Sequence, residues 1–406
     1  MKLTPADSRH NFRAFLWHAI FLALAKNFMD VDTIIPAMLV EAGGKAMHVG
    51  LLTTIMLGGA SFTQLFFAPF LSNLLYKKRP LLLGINARIL SLLGLGLLML
   101  YSGDLGAELT LWLIIVLLAM FSLGGAYAMV SYSDVLGKSI ASDRRKSFFS
   151  IRQVISGIGA FASVLLVNKM LTTWAYPFNY SWMLFTGFGA LFLASLGFWR
   201  IRETVPSGMS IRGARQFFSI IRQELTQNRR LKYFLGYINT QGLCLAFLPF
   251  VILYAKTTFQ TGAADTGHFL LFKVIGMVSV SLLVFFIARK VKYRFLLFLN
   301  SGLAVMLPVL LLLVPGSGIL DVIFLLGGIV VALYSISMNG VLLELSGNQN
   351  RALYVGIAGA GNILPALFPL VAGGIIQQFG FTLFFMLYLI LLAASAFFVY
   401  KIDCKQ

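Results

Sequence analysis

Residues 109–132, LTLWLIIVLLAMFSLGGAYAMVSY, hold no Asp, Glu, Lys or Arg. Roughly 20 apolar residues in a helix cross a bilayer, because a helix satisfies its own backbone polar groups where no water can. The segment therefore reads as membrane-spanning. Eleven more apolar runs of spanning length flank it: 13–38, 48–75, 80–101, 148–170, 181–200, 233–256, 266–288, 294–314, 319–342, 352–375 and 378–400. Twelve runs predict an all-α polytopic membrane protein.

Composition agrees, with 59% hydrophobic and only 11% charged residues. A soluble chain of this length needs more charge to cover its surface. The net charge of +18 is unevenly placed. Counting gaps alternately, 25 of the 32 Lys and Arg fall on the proposed cytoplasmic side, and only Lys45, Lys169 and Lys256 on the outer side. That asymmetry predicts both termini in the cytoplasm. The basic excess is a topology signal that also suits anionic membrane lipids. Without a soluble basic module, nucleic acid is not an expected partner. The first run is too long for a cleavable signal and no small-residue cleavage pattern follows it. Cys244 and Cys404 fall in a helix and in the tail, so no disulfide between them is expected. Compact loops and short tails suit a bacterial inner membrane, with a monomer expected.

One long polar connection divides the runs six and six, predicting bundles at 1–205 and 233–406 joined by a cytoplasmic loop, 206–232. A shift of 206 residues lays Ser131, Val135, Leu136, Arg145, Ile151 and Ala160 on Ser337, Val341, Leu342, Arg351, Ile357 and Ala366. Duplicated halves facing one another across a cavity are the arrangement this repeat suggests.

The loop after the second run reads Pro69-Phe-Leu-Ser-Asn73-Leu-Leu-Tyr-Lys77-Lys78, and Arg144-Arg145-Lys146 opens the fifth. These stretches resemble the G-x-x-x-D-R-x-G-R-R and R-G-x-x-x-G signatures of the major facilitator superfamily of secondary transporters. The resemblance implies two pseudo-symmetric six-helix bundles, with the first, fourth, seventh and tenth spans lining a cavity. It implies a cytoplasmic latch, here Asn73, Lys77, Asp134, Arg144, Arg145, Arg289 and Arg351. Asn73 stands where the family has Asp, so the latch should be weaker or differently built; Asp134 is expected to pair with Arg144 or Arg145. Ser156-Gly-Ile-Gly159-Ala160 lacks the G-P-x-x-G-G motif of many drug–proton antiporters.

Ionisable groups within spans are costly and mark candidate sites. The first run carries Lys26, Asn27, Asp30 and Asp32. In a continuous helix Lys26 and Asp30 share a face, and Asp32 points elsewhere. Asp30 is the expected proton-coupling carboxylate, with Lys26 and Asp32 beside it. A purely structural Lys26–Asp30 pair, or sodium held with Asn27, would also use these residues. Arg152 and Lys273 are the expected holders of an anionic solute group. Arg88, two turns into its run, is expected to snorkel to the cytoplasmic headgroups. Asn27, Gln64, Tyr127, Ser131, Asn239, Gln241, Asn339 and Asn362 complete the candidate binding surface, although a lone Ser or Asn in a span more often joins helices.

No phosphate-binding loop or clustered metal ligands point to an enzyme, and no cofactor is expected. The sequence thus predicts a secondary transporter moving a small organic solute with an anionic group by proton-coupled alternating access. Export of amphipathic or cationic drugs, with Asp30 as counter-ion, is the alternative.

Overall fold

A computed structural model describes residues 3–59, 61, 67, 70, 71, 73–207, 219, 222–287, 291–346, 354, 357–359 and 361–402; Ser142, Lys146, Ser150, Leu343 and Ser346 are described in backbone only. Gln64, Arg289, Arg351 and Cys404 lie outside the described residues. Helix α1 is Pro5–Ala25, capped by Thr4, whose hydroxyl accepts from the Asp7 amide at 3.1 Å, with Pro5 pre-set in the first turn.

The first run is not one helix. A 3₁₀ turn at Lys26–Met29 follows α1, Asp30 leaves helical geometry at ψ 120°, and α2 begins at Ile34 and ends at Glu41. Pro36 explains the break. It brings no N–H, and its ring would clash with the carbonyl of residue 32 in a continuous helix, but it is tolerated in the first turn of α2. The regular geometry that set Lys26 over Asp30 and turned Asp32 away therefore does not apply.

Helix α3, Ala46–Thr54, runs into a π turn at Ile55–Gly59. Then come α4 Lys78–Leu100, α5 Ala107–Ser139, α6 Ser142–Thr173 and α7 Phe178–Arg200. The second half holds α8 Arg229–Gln241, α9 Cys244–Thr258, α10 Ala263–Ile287, α11 Tyr293–Leu313, α12 Ile319–Ser346 and α13 Ile363–Lys401. The last two predicted runs meet inside α13 at Gly380, whose φ of 80° and ψ of 179° only glycine adopts readily. Among the described residues, ten helical segments are long and apolar enough to cross a membrane, the last being the 45 residues of Ile357–Lys401.

Two compact units emerge: residues 1–30 with 62–217, and residues 31–61 with 218–406. The sequence places 31–61 in the first bundle; their contacts lie with the second half, α2 against α9 and α10, α3 against α13. In the first unit α4 and α5 pack closely. A Cβ on Gly84 would sit 2.6 Å from the Gly124 carbonyl oxygen, and one on Gly124 would sit 2.8 Å from that of Gly84. Small residues allow this approach, and dispersion between the backbones holds it. Gly84→Val should therefore cost about 1–3 kcal/mol of overpacking. It is expected to lower the melting temperature of the purified protein by several degrees, whereas Gly103→Val, where no atom lies within 4 Å, should leave it unchanged.

Candidate functional site

The second unit holds an ion pair built across the chain break. Asp32, between the 3₁₀ turn and α2, lies 2.5 Å from Lys273 of α10; their side chains are 14% and 4% exposed. Both sequence candidates are thus brought together, in a pairing that a continuous first helix would not have suggested. A second pair, Lys256 of α9 with Glu41 at the end of α2, also spans 2.5 Å. Asp30 itself is buried at the break. Asn27 points its amide into α6, donating to the Ala160 carbonyl at 2.7 Å and to Ser163 at 3.0 Å.

Other candidates in this unit join helices. Asn239 donates to the Gly361 carbonyl and accepts from the Leu364 amide, tying α8 to the start of α13. Gln241 accepts from Ser395 at 2.9 Å and donates to the Asn300 carbonyl at 3.2 Å, linking α8, α13 and α11. Asn339 donates to the Ser335 carbonyl within α12, and Asn362 caps α13 with its Oδ1 buried and unbonded. Ser131 and Ser337, equivalent under the 206-residue shift, are each fully buried, and neither hydroxyl has a hydrogen-bond partner among the described residues.

In the first unit, Tyr127 meets Phe67 edge to face. Arg152 of α6 donates to the Tyr132 hydroxyl at 3.2 Å. Arg88 packs against a ring. Its guanidinium lies 4.1 Å from the centre of the Phe121 ring, near the midpoint of α5 and about 27 Å from the Ser139 end. The glycines of α5 make this position: a Cβ on Gly124 would lie 3.2 Å from Arg88 Cγ, and one on Gly125 3.5 Å from Nε.

At the Ser139 end stands a charge network. Asp134 takes Lys77 at 3.3 Å, Lys138 at 3.0 Å and the Ser207 hydroxyl at 2.7 Å. Glu203 takes Lys138 at 2.8 Å and accepts the Lys77 and Lys78 amides, so it caps the first turn of α4. The expected pairing of Asp134 with Arg144 or Arg145 is not what forms. Arg145 donates to the carbonyls of Ile140 and Gly137, groups that the end of α5 leaves unsatisfied, and Arg144 is exposed. Asn73 is exposed. Glu203 was missed as a site residue; its signal was an acid just beyond a basic helix end. Lys138, four residues after Asp134, could have been found by helical spacing.

A double-mutant cycle tests the buried pair. Asp32→Asn and Lys273→Met should each lower the melting temperature, and the double variant should lose less than the sum, a coupling of about 0.5–3 kcal/mol.

Solved transporters share this fold. A point variant of the nucleoside transporter NupG superposes with a TM-score of 0.68 at 15% identity, covering 96% of this chain and 98% of that one. A D-xylose–proton symporter gives 0.68 at 13% identity, covering 96% and 97%. The inward-open xylose transporter XylE from E. coli gives 0.68 at 15%, covering 97% and 96%. No curated sequence relative matches. The pattern of the Major Facilitator Superfamily matches residues 16–362. With its helices, its repeat and that match over most of its length, the chain belongs to the Major Facilitator Superfamily and is a transporter, not an enzyme.

Proposed function

We propose that this secondary transporter moves a small organic solute bearing an anionic group, coupled to protons, across the cell's inner membrane. Its twelve spans form two six-helix bundles with both termini cytoplasmic, and the bundles exchange access to a midplane site. The observation that carries the coupling is the buried Asp32–Lys273 pair. In a low-dielectric interior a carboxylate beside an ammonium stays ionised, and a proton delivered to it weakens its hold on the ammonium, which then draws another anion more strongly. Proton and solute anion then arrive together: the proton on Asp32, the anion on Lys273. Asp30, two residues away at the same break, is the second carboxylate placed to take part. The neighbour described as a D-xylose–proton symporter supports carriage of a solute with protons over efflux of cationic drugs.

Differential binding of proton and solute to the two access states sets the direction of transport. In proteoliposomes, with a labelled organic acid chosen because it stabilises the protein, Asp32→Asn should abolish accumulation driven by a proton gradient while solute exchange persists. Asp30→Asn is expected to do the same if both acids carry protons. Full accumulation by both variants would remove the break from coupling, and accumulation driven by sodium without a pH gradient would replace the proton with sodium.

A further inference from the structure

In the first unit, arginines gather where α1 begins and α7 ends, on two helices packed against each other. The pair runs antiparallel and close: a Cβ on Gly197 of α7 would sit 2.5 Å from the Ala14 carbonyl oxygen of α1. Trp17 of α1 lies across the seam, its indole N–H donating to the Leu193 carbonyl at 2.7 Å. Arg200, at the end of α7, holds its guanidinium 5.7 Å from the centre of that indole. Arg9, Arg13 and Trp17 follow one another at four-residue spacing on one face of α1, and Ile20 continues that face inward. All four are exposed, as are Leu193 and Arg200. Arg13 and Arg200 thus flank the same ring, one from each helix.

The polar groups around them are already engaged. His10 Nε2 meets the Arg200 carbonyl at 2.8 Å, Asn11 donates to the Arg202 carbonyl, and Lys78 donates to those of Trp199 and Ile201. These partners satisfy the end of α7 without using the Arg200 side chain. Asp7, the acid on this end of α1, pairs with Arg202 at 3.4 Å. Among the described residues, no ion pair reaches Arg9, Arg13 or Arg200. Tryptophan between an apolar face and a charged one marks the level where hydrocarbon gives way to headgroups. On one side of Trp17 the seam offers Ile20 and Leu193, and on the other it offers positive charge. A guanidinium fork suits a phosphodiester, and a zwitterionic headgroup would bring a competing cation of its own.

We propose that the α1–α7 seam is a binding site for an anionic glycerophospholipid. Arg13 and Arg200 hold its phosphodiester beside the Trp17 ring, Arg9 adds attraction one turn further out, and an acyl chain lies along Ile20 and Leu193. The apolar continuation of the seam calls for a chain as well as a charge, which a free phosphate lacks. The site is independent of which solute is carried.

The test uses the full-length protein purified in a neutral detergent. The probe is dioleoyl phosphatidylglycerol, with dioleoyl phosphatidylcholine as the zwitterionic control and glycerol 3-phosphate as the chain-free one. Binding to the folded state raises the melting temperature. Phosphatidylglycerol should stabilise the wild type more than phosphatidylcholine does. Arg13→Gln and Arg200→Gln should each raise the half-saturating lipid concentration about fivefold, and the double variant about twenty-fivefold. Arg144→Gln, exposed at the start of α6, should leave it unchanged. With acyl chains brominated, phosphatidylglycerol should quench tryptophan fluorescence more than brominated phosphatidylcholine does, and Trp17→Phe should remove that excess; this readout serves if the arginine variants fold poorly. Equal stabilisation by both lipids, or an equal loss in Arg144→Gln, would replace the site with diffuse attraction. Quenching unchanged in Trp17→Phe would place the lipid elsewhere. Glycerol 3-phosphate that stabilises the wild type but not Arg13→Gln would overturn the lipid in favour of a free phosphate.

Discussion

A bilayer interior offers no water to a stray amide or charge, and the departures from regular helix in this chain follow from that. Between Lys26 and Thr33 the backbone abandons its i to i−4 ladder inside what composition marks as a span. Irregular backbone at such depth is tolerated only where protein surrounds it. Asn27, Asp30 and Thr33 are correspondingly buried, at 3%, 7% and 0% exposure. The interruption also has a consequence a straight helix could not have: it sets Asp32 against Lys273. Pro36, which lacks an N–H and crowds the carbonyl of residue 32, favours the break, and the ion pair is what the freed geometry makes.

The spans were legible because lipid solvation writes a strong signal: long runs of Leu, Ile, Phe and Val, with positive charge beyond their ends. The family was legible from the same pattern with a few loop residues. The break at residues 26–33 was not, although Pro36 stood in plain view. Hydropathy averages over a window and does not see a single missing N–H. Reading Lys26 and Asp30 as i, i+4 neighbours assumed a regular helix, where the chain makes a 3₁₀ turn that ends at Asp30. The ring contact of Arg88 was not legible for a related reason. Snorkelling assumes that an arginine goes to the nearest headgroups, and only the packing of Gly84 against Gly124, with Phe121 beyond, reveals where this side chain can fit. Nothing in sequence spacing reports which helix faces which.

The loop signature shows a third kind of legibility. Asn73, standing where the family has Asp, led to the expectation of a latch weaker or differently built. It could not say that Asp134 and Glu203 would hold Lys77 and Lys138, or that Ser207 would close the ring. Glu203 is 126 residues from Lys77, and its value lies in two orphan amides at the start of α4. A carboxylate that caps a helix and pairs a lysine at once is held from two sides. The Glu203 side chain is 4% exposed, and its burial is matched by these partners.

Among the charges within the spans, the Asp32–Lys273 pair and the two arginines differ, and the difference matters for energetics. Asp32 and Lys273 cancel, so that site changes its charge only when a proton joins or leaves it. Arg88, over the Phe121 ring, and Arg152, on the Tyr132 hydroxyl, form no ion pair among the described residues. Moving one elementary charge across a membrane potential costs or yields about 2.3 kcal/mol per 100 mV. In the proposed cycle a singly charged anion travelling alone into a negative interior would meet that opposition. Accompanied by one proton it meets none, and the pH gradient is left as the whole driving force.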